Sequence, residues 1–147
     1  MHRLIILFFC FAMTSCQEEE VFESIQVEFT EISLGSLNGS GFHNIDRSEL
    51  VIDNLADWQA LKDRMDTVND VTSRFNEDNL DFTQELIIAV ITEVKNIVYS
   101  VEIISVIEEL NSMTVHYQET PSMLLSSSQP FHIIRIPRTT KLIQFNP

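Results

Sequence analysis

The stretch Leu86-Ile87-Ile88-Ala89-Val90-Ile91, "LIIAVI", decides the fold. It is a continuous apolar run, rich in β-branched residues, with no polar position to turn toward water. Such a run reads as a central strand covered on both faces.

Weaker signals lie on either side. After the short connection "TEVKN", Tyr99, Val101 and Ile103 alternate with Ser100 and Glu102. A turn follows around Asn111, and then Met113, Val115 and Tyr117 alternate with Thr114, His116 and Gln118. "PFHIIRIP", 130–137, is another strand, and "KLIQF", 141–145, closes the sheet. The short connections favour antiparallel neighbours. On the N-terminal side, "ELVID", 49–53, reads as a short strand. A helix follows, capped by Asp53 or Asn54, with Leu55, Trp58, Leu61 and Met65 at helical spacing. Trp58 is its core anchor. "SIQVEFT", 24–30, alternates with Ile25, Val27 and Phe29 on one face, which predicts a half-buried strand. "GSLNGSG", 35–41, holds all 3 glycines of the chain and predicts a turn or flexible loop. The polar, acidic stretch 66–81 predicts a solvated loop. The expected architecture is α+β: mainly antiparallel β, with about seven strands and one helix packed on the sheet. Residues 24–147 form one domain on this reading, a normal domain size.

The beginning of the chain speaks to location. Met1, His2 and Arg3 make a short basic start before "LIILFFCFAM", 4–13, which carries no charge. This run falls short of the roughly 20 apolar residues of a spanning helix. It has the length of a signal-peptide core, so residues 1–15 are expected to be a signal segment. "MTSC", 13–16, resembles a lipobox, with Thr14 and Ser15 directly before Cys16 and Met13 in place of the usual leucine. By that resemblance Cys16 is the lipidated first residue of the mature protein. The acidic "CQEEE" resembles the export signals of surface lipoproteins in Bacteroidota, and residues 16–23 also serve as an acidic tether. The implied location is the outer membrane, lipid-anchored and facing the cell surface. With Cys10 lost and Cys16 acylated, no cysteine remains for a disulfide, and the domain must rely on its core. The chain's net charge of −13 repels phosphate backbones, which argues against nucleic-acid binding. It also repels anionic membrane surfaces, so attachment to the membrane falls to the acyl chains, of which stable anchoring takes two or more.

Catalytic signals are sparse. His43, His116 and His132 show no close ligand spacing such as H-x-H or HExxH. Asn76, Asp78 and Asp81 are oxygen donors without the EF-hand order or its turn glycine. Ser126, Ser127 and Ser128 lie near His132 in sequence, but no G-x-S-x-G elbow surrounds them. No catalytic residue, metal site or cofactor is assigned, and the domain is expected not to be an enzyme.

"SGFHNIDRSELVIDNLADWQALKDRM" resembles the start of the C-terminal domain of the PrcB family, with Trp58 and Leu61 at the family's helical tryptophan and leucine. "LDFTQELIIAVI" matches the next segment through Asp81-Phe82, and "VYSVEIISVIEELNSMTVHYQETP" and "QPFHIIRIP" match the two after it. The resemblance covers about residues 40–145. It implies a non-catalytic interaction domain: an accessory or stabilising subunit of an envelope complex, whose partner is an envelope protein such as a protease. One departure stands out. The family's glycine pair before a tyrosine is replaced by Ile97 and Val98, while Tyr99 and Ser100 are kept. That segment is also similar to a loop of chagasin-like protease inhibitors, which supplies the alternative function; an unrecognised enzyme is a third. The segment joining the central strand to its neighbour is the expected partner-binding site, through Glu93, Lys95, Asn96 and Tyr99.

Overall fold

The computed structural model describes residues 22–147. The expected signal segment, the lipidated Cys16 and most of the acidic tether lie outside the described residues. The elements run β1 (Ile25–Gln26), β2 (Thr30–Asn38), β3 (Ser48–Ile52), α1 (Leu55–Met65), a 3-10 turn (Thr72–Arg74), β4 (Glu85–Ile91), β5 (Tyr99–Glu108), β6 (Ser112–Pro121), β7 (Ser128–Pro137) and β8 (Leu142–Asn146). They form two four-stranded sheets, ordered β1-β5-β6-β8 and β2-β7-β4-β3. The fold is α+β, as the patterning implies, with strands far outweighing the single α-helix. No helix among the described residues is long and apolar enough to cross a membrane.

The layers follow from the two faces of β4. Leu86, Ile88 and Val90 turn toward the first sheet and pack with Val101, Ile103 and Val115. Ile87, Ala89 and Ile91 turn the other way, toward Trp58, Leu61 and Met65 of α1. The second sheet is therefore the middle layer, between the first sheet and the helix. β7 is likewise buried on both faces, which explains its near-continuous apolar run. Asn54 caps the helix: its Oδ1 accepts the Asp57 N–H at 2.9 Å. The outer face of the first sheet is left to solvent, with Ser100 and Glu102 exposed.

Three details depart from the sequence reading. The strand expected over 24–30 narrows to Ile25–Gln26, and Ile25 is 53% exposed; Val27 and Phe29 still turn inward, against the core between the sheets. The stretch read as a turn or flexible loop, 35–41, supplies the end of β2 through Asn38, and only the residues after it turn. Glycine suits this strand position because a Cβ there would sit 3.0 Å from Cζ of Phe131. Finally, β8 pairs parallel to β6 rather than antiparallel. β7 crosses to the other sheet between them, so β6 and β8 are not joined by a hairpin and parallel pairing is permitted.

His132 links the two sheets from the inside. Its Nδ1 accepts the Ile103 N–H at 2.7 Å, beside the irregularity where β5 shifts register against β6. The hydrogen of the neutral ring is therefore on Nε2, 3.4 Å from the Glu31 carboxylate. Burial lowers the His132 pKa, against the opposing pull of Glu31 and Glu102.

Candidate functional site

Strand directions bring three connections to one end of the sandwich. β2, β4 and β6 finish there and β3, β5 and β7 begin there, so segments 39–47, 92–98 and 122–127 lie together. The opposite end receives the chain: Ile25 pairs with Glu108, at the far end of β5. Phe22 lies there too, its ring centroid 4.8 Å from Lys141 Nζ, just before β8.

The three segments are tied at their roots by Gln129, which is 1% exposed. Its amide donates to the Ile45 carbonyl at 2.6 Å and to the Thr92 carbonyl at 3.0 Å. Further out, main-chain bonds join 92–98 to 122–127: Val98 N–H to the Leu124 carbonyl at 2.9 Å and Ser122 N–H to the Val98 carbonyl at 2.8 Å. The Ser127 hydroxyl donates to Asn96 Oδ1 at 3.1 Å, and the Ser128 hydroxyl to the Ile97 carbonyl at 3.0 Å. Both hydroxyls brace the loops and neither bonds His132, whose Nδ1 is held by Ile103. Gly39 closes the set. A Cβ on Gly39 would lie 2.2 Å from the Ser127 carbonyl carbon, so the first segment presses directly on the third. Gly39→Ala must push 122–127 aside; we expect it to cost about 1–3 kcal/mol by overpacking. The amide resonances of Val98 and Ser122 should shift as their bonds to the Leu124 and Val98 carbonyls are disturbed, and an unchanged spectrum would refute the contact.

Behind the loops, charges cross between the sheets. The Arg47 guanidinium reaches Glu93 at 2.7 Å, Glu119 at 2.6 Å and the Tyr117 hydroxyl at 3.0 Å. Lys95 bridges the same acids, 2.8 Å from Glu119 and 3.1 Å from Glu93, with its ammonium 4.3 Å from the Tyr99 ring centroid. The Tyr117 hydroxyl in turn donates to Glu49. The hydrogen bond from Arg47 is the chief reason the Glu93 carboxyl is lowered to about 2. At Glu119, burial pulls upward, and Lys95 and Arg47 outweigh it to hold the carboxyl below its usual value. Because the folded Glu93 pKa lies below its ordinary 4.5, the stability it contributes is full above pH 4.5 and is lost as pH falls toward 2. Denaturant midpoints should therefore drop through that window. Glu93→Gln should be less stable than wild type at pH 7 and should lose less on acidification. Equal pH slopes in the two proteins would contradict this role.

The four residues expected to bind a partner all lie at this end, in different settings. Tyr99 is 5% exposed, the first inward residue of β5, with its hydroxyl donating toward Thr92 and the Glu93 carbonyl. Its ring is not available to a partner. Glu93 and Lys95 belong to the charge network, and Asn96 braces Ser127. The surface at this end is instead apolar. Met123, Leu124 and Leu125 are 103%, 66% and 86% exposed, and Phe42 on the neighbouring segment is 72% exposed. The sequence reading missed this patch, whose signal is three consecutive apolar residues between serines in a segment with no strand alternation.

Among the described residues, no three His, Cys, Asp or Glu side chains come together as a metal site. His116 faces Asn146 on the solvent side, His132 lies between the sheets, and His43 is buried with neither ring nitrogen bonded. The Asp81 carboxylate accepts from the Thr83 N–H and hydroxyl, each at 2.8 Å, as an ordinary turn residue does. No family model matches the chain, and no curated protein or solved structure matches it either.

Proposed function

We propose that this protein is a lipid-anchored interaction domain of the cell envelope, an accessory or stabilising subunit that docks on an envelope protein through its three-loop end. One observation carries the reading: Met123, Leu124 and Leu125 are exposed to solvent on a segment whose main chain is hydrogen-bonded to its neighbour. Exposed apolar side chains lose hydration-disfavoured surface on docking, and a braced loop loses little conformational freedom in doing so. Such pre-ordered apolar contacts are what interface cores are made of. The direction of the chain supports the assignment. Phe22, the first described residue, lies at the end opposite the loops, so an anchor at Cys16, six residues before it, would leave the apolar tip facing away from the lipid. The ordered segments resembling the PrcB family point to the same kind of role, with a protease as one class of partner.

A second reading has one observation in its favour. Three loops converging at one end of a β-sandwich form a wedge, the shape by which a chagasin-like inhibitor blocks a cysteine protease cleft. The two readings separate in a single experiment. Tagged protein crosslinked in the cells that make it should retain a specific envelope protein, and the pure protein should leave cysteine proteases unaffected at stoichiometric ratio. Inhibition at that ratio would establish the wedge reading. Recovery of no envelope protein would overturn the first.

A further inference from the structure

The free edge of β2 carries a second site, independent of the loop end. In the ladder to β7, Ser33 pairs with Ile133 and Gly35 with Phe131. Leu34 stands opposite His132 and Ser36 opposite Pro130, whose carbonyl accepts from the Thr92 N–H at 3.0 Å on the β4 side, so by the alternation of an antiparallel ladder Leu34 and Ser36 turn their N–H and C=O groups away from β7. β2 has β7 as its one neighbour in the sheet, so among the described residues these groups have no main-chain partner. Among the described residues one main-chain bond closes the edge, from Asn76 N–H to the Ile32 carbonyl at 2.9 Å. The segment around Val71 and Arg74 borders a groove of about 680 Å³ along the strand.

The groove is built for a main chain. Gly35 has no side chain, and the Phe131 ring lies directly beneath it, 3.0 Å from where a Cβ would stand, so the floor is aromatic. Ile32 and Val71 extend that apolar floor. The wall bears one cation, Arg74, which is exposed and makes no ion pair among the described residues. Two acids share the wall: Glu31, 56% exposed and 3.4 Å from the neutral His132 ring, and Asp70, which accepts the Ser73 N–H at 3.3 Å.

We infer that this groove takes an extended segment of a partner protein, paired to Leu34 and Ser36 as an added strand, with an apolar side chain over Phe131 and an acidic side chain on Arg74. Only an extended main chain offers donors and acceptors alternating at the spacing of a strand edge. Arg74, the one cation among the groove's lining residues, sets where an acidic residue of the ligand sits.

The test selects phage-displayed random linear heptapeptides on the full-length protein, with Arg74→Glu protein as the counter-selection. Synthetic peptides from the selected set are then added to labelled protein, and amide exchange is followed. Selected sequences should carry an acid beside an apolar residue. They should slow exchange at Leu34 and Ser36 at least tenfold and leave Val51, on the opposite edge, unchanged. Their affinity should fall at least tenfold for Arg74→Glu while the fold stays intact by its amide spectrum. Three results would overturn the inference: no enrichment over the counter-selection, binding that leaves Leu34 and Ser36 unprotected, or protection of those amides before any peptide is added. The last would mean that the chain already covers its own edge.

Discussion

Trp58→Ala is expected to lower stability by about 3–5 kcal/mol, close to the whole margin of many small domains. The indole is completely buried on the helix-facing side of the second sheet. Its ring stacks on Phe75 with centroids 5.8 Å apart, and Phe75 in turn meets Phe131 at 6.0 Å. The indole N–H donates to Glu77 at 3.0 Å, and Lys62 holds the same carboxylate at 2.9 Å. Removing the ring therefore leaves a large void and also takes one donor from a half-buried carboxylate. Trp58→Phe should cost less, because much of the volume remains and Lys62 still satisfies Glu77. Midpoints of urea unfolding, compared at constant m, would measure both effects. A loss under about 1 kcal/mol for Trp58→Ala, far below the usual cost of emptying an aromatic site, would mean that α1 does not form the third layer.

The double substitution Leu124→Asp with Leu125→Asp should separate binding from folding. Both side chains are exposed, and the main-chain bond at Leu124 survives any side chain except one that distorts the loop. Stability should stay within about 0.5 kcal/mol of wild type. Partner recovery should fall at least tenfold, since two acids buried in an apolar contact are left without compensation. An equal loss with Asn96→Ala would point to loop bracing as the sensitive feature. Full recovery with the aspartates in place would remove the apolar tip from the interface.

How much of this was legible depended on whether a feature is local. The run 86–91 needs both faces covered, and it has both. The alternation from Tyr99 to Ile103 and from Met113 to Tyr117 sets inward and outward phase correctly in β5 and β6. The helix cap follows a short-range rule, which narrowed it to Asp53 or Asn54, and Asn54 is the one that caps. β2 was not, because its core-facing residues are diluted by serines and by Gly35, which is there to admit Phe131 from another strand. Parallel pairing of β8 depends on β7 leaving for the other sheet, and no neighbouring residue reports that. The candidate site was half legible for the same reason. Its segment 92–98 follows from the central strand, but the convergence of 39–47 and 122–127 upon it is set by strand order. So is the crossing of charges from Arg47 to Glu93 and Glu119.

The central claim is that the three-loop end contacts a protein. A photo-crosslinking amino acid placed at Leu125, and in a second strain at Gln59 on the exposed side of α1, tests it most directly in the cells that make the protein. The account predicts one discrete protein adduct from position 125 and none from position 59. Adducts to lipid alone from position 125, or the same adducts from both positions, would contradict it.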